Sequence, residues 1–414
     1  MMKCGLLGRK LVHSYSPQIH GMLCDYEYDL FEKEEDELEE FFKNSDWHGI
    51  NVTIPYKRSV IPFLDEMSDM ARRAGSVNTI IKREDGSFYG DNTDVYGFMM
   101  TVEKAGIDVK GKKALILGSG GASGAVMTAL ESMGAIPFII SRTGENNYSN
   151  LYLHEDARII VNTTPVGMYP DTGKAALDLK VFPNCKGVID IIYNPARTEL
   201  LLQAEELGIP CVNGLYMLIA QAYKSAEIFA GHNIEESKID VILDELTGSM
   251  QNIILVGMPG SGKSTMASKL GEKLGLTVKD ADVEITKAVG RKPSLIITQD
   301  GEAAFRDIES EVIADLGKGS GMVIATGGGA VLRECNYRAL HQNGIIVWIR
   351  RDIDKLPTGD RPLSAGQDLN VMYEKREPLY KKYADVIVDN NGTPDETVCR
   401  IISEIKKTRS KGAI

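Results

Sequence analysis

Paired cysteines are missing from this chain. Its six cysteines, at positions 4, 24, 185, 211, 335 and 399, stand far apart, with no CxxC and no Cys/His metal spacing. That excludes a disulfide framework and a zinc finger, and it predicts free thiols in a reducing cytoplasm. Long apolar runs are missing too. Nothing approaches the roughly 18 residues that a membrane span needs, and the opening MMKCGLLGRK is too short and too charged for a secretion signal. Positive charge is scarce: 47 Lys and Arg stand against 58 Asp and Glu, a net of −11. A net-acidic chain argues against nucleic acid as a partner. The deficit is uneven. Residues 1–249 hold 23 basic and 36 acidic groups, a net of −13, and the remainder holds 24 and 22, a net of +2. The acidic run EKEEDELEE (32–40) reads as a solvated helix face.

What is present is a chain of 414 residues, long enough for two or three domains with full cores. Apolar runs alternate with helix-length segments: ALILG, PFIIS, RIIVNTTP and GVIDIIY, then NIILVG, MVIATGGG, GIIVWIR and DVIVD. Runs that are apolar on both faces indicate parallel sheets covered by helices, hence α/β domains. The segment EESKIDVILDELTGSMQ reads as a closing helix and a short link, which puts the main boundary near 247–251.

Two strands run into glycine-rich turns of different types. The first, LILGSGGASGAV (115–126), offers Gly118, Gly120 and Gly121, with Ser123 at the third generic position of a dinucleotide turn. Such a turn either serves packing alone or aims backbone N–H groups and a helix N-terminus at a pyrophosphate. The next strand ends IISRTG. An NAD site usually offers an acid there, to the ribose 2′-hydroxyl. Arg142 stands there instead, and a guanidinium suits the 2′-phosphate of NADP(H).

Ahead of this turn lie three polar clusters, HSYSPQIH (13–20), GINVTIPYK (49–57) and GSVNTII…GDNTDVYG (75–97). Together they supply hydroxyls, amides, one ammonium and one carboxylate, enough to hold a small polyol acid and move one proton. These clusters, with LGSGGASGA, SRT, NTTPVGM, DIIYNPARTELL and NGLYMLIAQA, resemble shikimate dehydrogenase over residues 1–247. The resemblance implies an open α/β substrate domain of residues 1–94 and 214–247, around a Rossmann-like NADP domain of residues 95–213. It implies Ser14 and Ser16 on the substrate carboxylate, and Thr53, Asn78, Asp94 and Gln221 on the ring oxygens. Lys57 and Asp94 become the catalytic pair. Gly118, Ser119, Gly120, Gly121, Ala122, Ser141, Arg142 and Thr143 are placed around the cofactor's phosphates, with Thr164, Ile191, Tyr193 and Gly214 on the nicotinamide side. The chain departs from the family pattern at Gly124, where many members carry Arg, and at Ser141, where others carry Asn. Both departures bear on the grip on the 2′-phosphate.

The second turn, GMPGSGKST, is G-x-x-x-x-G-K-[ST], with Gly257, Gly262, Lys263 and Ser264. Gly260, Ser261, Gly262 and Thr265 complete a phosphate cradle, Lys263 reaches the β/γ oxygens and Ser264 can ligate Mg²⁺. The motif implies a nucleoside triphosphate and names no acceptor. KDADVEI puts Asp280 and Asp282 two apart, on one face if extended. GEAAFRDIE offers Arg306, ATGGGAV offers backbone N–H groups, and KREPLY offers Arg376. Two arginines aimed at one place suit a carboxylate-bearing acceptor. The set resembles shikimate kinase over residues 252–408, a P-loop α/β fold of the adenylate-kinase type. The resemblance implies Asp282, Arg306, Gly328 and Arg376 as the shikimate site and Ser264 with Asp280 on the Mg²⁺ side. It reads DRPLSAG as a lid whose Arg361 reaches ATP, with Ser364 where Leu is usual.

Small-molecule partners follow from these readings, with oligomeric state left open. One rival keeps both folds with another acceptor, such as quinate for the dehydrogenase. Another is a regulatory protein with dead sites, against which the intact Lys57, Asp94, Lys263, Asp282, Arg306 and Arg376 stand.

Overall fold

The computed structural model describes residues 2–12, 14–356 and 369–410. Two compact units emerge. One is Met1–Tyr193 with Thr198–Glu245, and the other is Asn194–Arg197 with Leu246–Ile414. The boundary expected near 247–251 falls between Glu245 and Leu246, inside the helix that the sequence read as closing the first part. The helix Ser237–Met250 runs through Gly248, and after Gln251 the strand Asn252–Val256 begins. Among the described residues no helix is long and apolar enough to cross a membrane.

The first unit contains two sheets. One has six strands in the order Glu27–Glu32, Lys3–Gly8, Gly49–Val52, Thr79–Lys82, Phe88–Asp91, Glu66–Met67. It is mixed, because Thr79–Lys82 pairs antiparallel with both Gly49–Val52 and Phe88–Asp91. The tight turn at Gly86, with φ of +86°, makes the second pairing possible. The acidic run is only partly helical. Glu32 ends an exposed edge strand, Glu35–Glu37 is a 3₁₀ turn, and the helix Leu38–Lys43 buries Leu38 and Phe42.

The other sheet is all parallel, in the order Cys211–Val212, Gly187–Asp190, Ile159–Asn162, Lys113–Leu117, Ile136–Ile140. Its central strand is buried on both faces. Ala114 and Ile116 join one apolar cluster, while Leu115 and Leu117 join another. Each such leucine or isoleucine contributes roughly 1.5–3 kcal/mol on burial. The order in which strands are added reverses between Lys113–Leu117 and Ile159–Asn162, so a crevice opens at their carboxyl ends.

The second unit repeats the device. Its parallel order is Thr277–Asp280, Met322–Ala325, Asn252–Val256, Gly344–Arg350, Val386–Asp389. Ile254 and Val256 face one cluster and Ile253 and Leu255 the other. The reversal lies between Asn252–Val256 and Met322–Ala325, again just where a glycine loop leaves the sheet.

Two candidate active sites

A cavity of about 680 Å³ opens in the first unit. Ser14, Ser16, Thr53, Lys57, Asn78, Asp94 and Gln221 line it, and Gly121, Ala122, Ile191, Tyr193 and Gly214 complete it. Lys57 Nζ donates to Asp94 Oδ2 at 2.6 Å, with both side chains largely buried. The backbone holds the lysine in place: the Val77 N–H donates to the Lys57 carbonyl at 2.8 Å, next to Asn78. Asp94 lies in the first turn of the helix Thr93–Lys104, where the helix dipole favours a carboxylate. Asn78 Nδ2 donates to Asp94 Oδ1 at 2.8 Å and approaches Gln221 Oε1 at 3.5 Å. The amide of Asn78 can face only this way, since its Oδ1 accepts from the Thr93 N–H at 2.7 Å. At the far end of the site the Ser16 N–H donates to Ser14 Oγ at 3.2 Å.

Behind this front lie residues that the sequence motifs did not single out. Ser225 Oγ, wholly buried, meets Asn51 Nδ2 at 2.8 Å, Thr79 Oγ1 at 2.8 Å and Thr93 Oγ1 at 2.9 Å. The available signal was polar residues at inward positions of otherwise apolar strands, Asn51 in INV and Thr79 in NTII.

The first glycine turn needs glycine at position 118. Gly118 has φ of +104°, and a Cβ there would lie 2.8 Å from Thr164 Cγ2. Gly120 begins the helix Gly121–Ser132 with no side-chain cap, leaving the helix N-terminus to other partners. The Gly118 N–H donates to the Ile140 carbonyl at 2.8 Å, so this loop and the Ser141–Thr143 loop leave neighbouring strand ends. Arg142 and Thr143 are exposed there. Gly118, Ser119, Gly120, Ser141, Arg142, Thr143 and Thr164 lie outside the cavity lining. Gly124 is a packing requirement here, because a Cβ would sit 2.2 Å from the Ala74 carbonyl oxygen. Thr164 donates its hydroxyl to Asn162 Oδ1 at 2.7 Å and accepts from the Val166 N–H at 3.2 Å. It therefore faces the glycine turn with its methyl.

The second unit has a cavity of about 650 Å³. Lys263, Ser264, Asp280, Asp282, Arg306, Gly328 and Arg376 all line it. Gly257, Gly260 and Gly262 have φ of +144°, +83° and +96°, the backbone that a phosphate loop requires. Lys263 Nζ donates to the carbonyls of Gly257 at 2.9 Å and Met258 at 3.0 Å. Ser261 is buried, its carbonyl tied by Asn390 Nδ2 at 2.7 Å, and Thr265 is exposed on the helix Lys263–Leu274. Ser264 Oγ donates to Asp280 Oδ2 at 2.7 Å.

The extended face that the spacing of Asp280 and Asp282 suggests does not form. Asp280 ends a strand and caps the helix Ala281–Val289, accepting from the Asp282 N–H at 3.0 Å. The helix stops the strand pattern at Ala281, yet both carboxylates still meet the same cavity. Arg306 and Arg376 are buried. Arg306 is held by Glu309, whose Oε2 accepts from Nη1 at 2.6 Å. Glu309, fully buried, ends the stretch GEAAFRDIE, in which only Arg306 stood out from the sequence. Burial pushes its carboxyl up, with Arg306 pulling the other way. The three glycines 327–329 leave room for Glu309, Pro259 and Arg306, which a Cβ would meet at 2.7, 2.7 and 2.2 Å. Arg361 and Ser364 lie outside the described residues.

Comparison with known proteins finds a family match in each part of the chain. A family model described as shikimate dehydrogenase substrate binding domain matches residues 6–80, and one described as shikimate kinase matches residues 259–406. A shikimate dehydrogenase (NADP(+)) of Clostridium perfringens is 38% identical over 265 residues, covering 58% of this chain and 97% of the relative. A shikimate dehydrogenase structure from Peptoclostridium difficile has 39% identity and a TM-score of 0.55, covering 59% of this chain and 98% of that one. The Thermus thermophilus enzyme, solved with NADP(H) and shikimate, has 29% identity and a TM-score of 0.54, covering 59% and 99%.

Proposed function

We propose that this chain, which belongs to the shikimate dehydrogenase family in its N-terminal part and carries a shikimate kinase domain behind it, performs two consecutive reactions. It reduces 3-dehydroshikimate to shikimate with NADPH, then transfers the γ-phosphoryl of ATP to the 3-hydroxyl of shikimate. The observation that carries the first step is the 2.6 Å contact between Lys57 Nζ and Asp94 Oδ2 inside the cavity. Reducing a ketone takes a hydride, which NADPH supplies, and a proton, which a held ammonium can donate. Residues 1–94 and 214–247 hold the acid. Ser14 and Ser16 face its carboxylate, and Thr53, Asn78, Asp94 and Gln221 face the ring. Residues 95–213 hold the cofactor.

In residues 252–408, the loop from Gly260 to Thr265 holds the ATP phosphates. Asp282 orients the attacking hydroxyl, while Arg306 and Arg376, with the backbone of Gly328, take the carboxylate. Ser264 and Asp280 fit Mg²⁺. A hydroxyl and a carboxylate oxygen 2.7 Å apart are hard donors, few enough to leave the remaining positions to phosphate and water.

Arg142 supplies cofactor choice. Arg142→Ala is expected to cost NADPH about 1–3 kcal/mol in kcat/KM while sparing NADH, the loss of a charge-assisted bond to the 2′-phosphate. Equal losses for both cofactors would remove Arg142 from that role. The two activities are tested separately with the purified chain. NADPH loss should depend on 3-dehydroshikimate, and ADP release should depend on shikimate. Faster NADPH loss with 3-dehydroquinate, the ketone that corresponds to quinate, than with 3-dehydroshikimate would favour the rival substrate.

A further inference from the structure

The cofactor side of the first cavity is backed by a carboxylate that neither reaction uses. Asp190 ends the strand Gly187–Asp190, in register with Asn162 on the neighbouring strand. It is fully buried, and among the described residues no basic group pairs with it. The groups that face it are neutral. Its Oδ1 accepts from Asn162 Nδ2 and from the Ile192 N–H, both at 3.0 Å, and its Oδ2 accepts from the Thr198 hydroxyl at 2.6 Å. Burial pushes its carboxyl up to about 6, so it is still ionised at neutral pH and above. A buried charge with no cation is costly, and a neutral side chain would fill the same space more cheaply.

Those donors belong to two walls of the cofactor site. Ile192 lies between Ile191 and Tyr193, both of which line the cavity. Asn162 is turned by Asp190 so that its Oδ1 accepts from the Thr164 N–H at 3.0 Å and the Thr164 hydroxyl at 2.7 Å. The methyl of Thr164 stands against Gly118 of the glycine turn. One carboxylate thus fixes the Asn162 amide, the Thr164 loop and the Ile191–Tyr193 segment together. We propose that Asp190 is a positioning residue that clamps these two walls at the spacing NADP(H) requires. The proposal rests on placing Thr164, Ile191 and Tyr193 beside the nicotinamide.

The test is fluorescence titration of NADPH into the full chain, wild type and Asp190→Asn, between pH 5 and pH 8. The amide keeps the shape and loses the charge. At pH 8 the variant should bind about fivefold to tenfold more weakly, the difference between charge-assisted and neutral bonds. The ratio of the two dissociation constants should close to within about twofold at pH 5, where the wild-type carboxyl is itself neutral. Taking the ratio cancels protonation of the 2′-phosphate. A ratio near one at pH 8, or one that does not change with pH, overturns the clamp. If Asp190→Asn does not fold, Thr198→Val keeps the carboxylate and removes one donor. It should weaken NADPH binding about twofold to fivefold, the worth of one such bond, and unchanged binding overturns the proposal. Tyr193→Ala separates the two levels. If it binds NADPH as wild type does, the wall assignment is wrong. If it weakens binding while Asp190→Asn does not, the clamp alone fails.

Discussion

Lys57→Ala should slow the reduction of 3-dehydroshikimate at saturating substrate by roughly 10²–10⁴-fold, the usual size of a positioned acid–base contribution. The variant removes the ammonium that sits 2.6 Å from Asp94 in the cavity. It leaves the rest of the front intact. Asp94 keeps its bond from Asn78 Nδ2 at 2.8 Å and its place in the first helical turn, so its carboxylate stays oriented without its cation. The serines at the far end of the site are untouched. The effect should therefore fall on the turnover rate, with a smaller change in KM for the substrate. The measurement is steady-state NADPH oxidation, with circular dichroism as the check on folding. A turnover rate within about threefold of wild type would mean that Lys57 is not the acid, since no group worth its place in proton transfer is that dispensable.

A comparable loss is expected in the other reaction from Asp282→Asn. The residue lies in the first turn of the helix Ala281–Val289, lining the same cavity as Lys263, Arg306 and Arg376. The hydroxyl of an acceptor held there by its carboxylate would meet Asp282, which orients it and takes its proton. An amide can still accept a hydrogen bond, but it cannot take the proton. Phosphorylation should fall about 10²-fold or more on the same acid–base scale, with KM for ATP little changed. NADPH oxidation by the same protein should stay at the wild-type rate, which serves as a control for expression and folding. A phosphorylation rate within about threefold of wild type would transfer the orienting role to another group.

The sheets were legible where strands are buried on both faces. All eight apolar runs read from the sequence are strands of the two parallel sheets: six are inner strands, which must be apolar on both sides, and two, Ile136–Ile140 and Val386–Asp389, are partly exposed edges. The edge strand Thr277–Asp280 escaped this reading, since its residues TVKD are half exposed and carry no such run. The antiparallel pairing in the first sheet escaped it as well, because pairing direction is set by a turn near Gly86 and not by apolar content. Site residues that touch ligands fell within recognisable polar clusters. Those that hold them in place were harder to read. Glu309 ends GEAAFRDIE and Asp190 stands inside the apolar run GVIDIIY, but residue type and spacing alone did not tell that these carboxylates, or the Ser225 hydroxyl, are fully buried. Gly124 shows the converse: the sequence marks only a missing arginine there, and the structure adds that a Cβ would meet the Ala74 carbonyl oxygen at 2.2 Å.

The central claim is that one chain carries a small acid through two reactions in order. The direct measurement gives the purified chain 3-dehydroshikimate, NADPH, ATP and Mg²⁺, with no shikimate added, and follows NADPH and ADP together. The expected result is NADPH loss followed by ADP release in equal amounts, with shikimate 3-phosphate as the end product. Omitting NADPH should abolish ADP release. NADPH loss that leaves shikimate standing with ATP unconsumed, or ADP release that needs no NADPH, would contradict it.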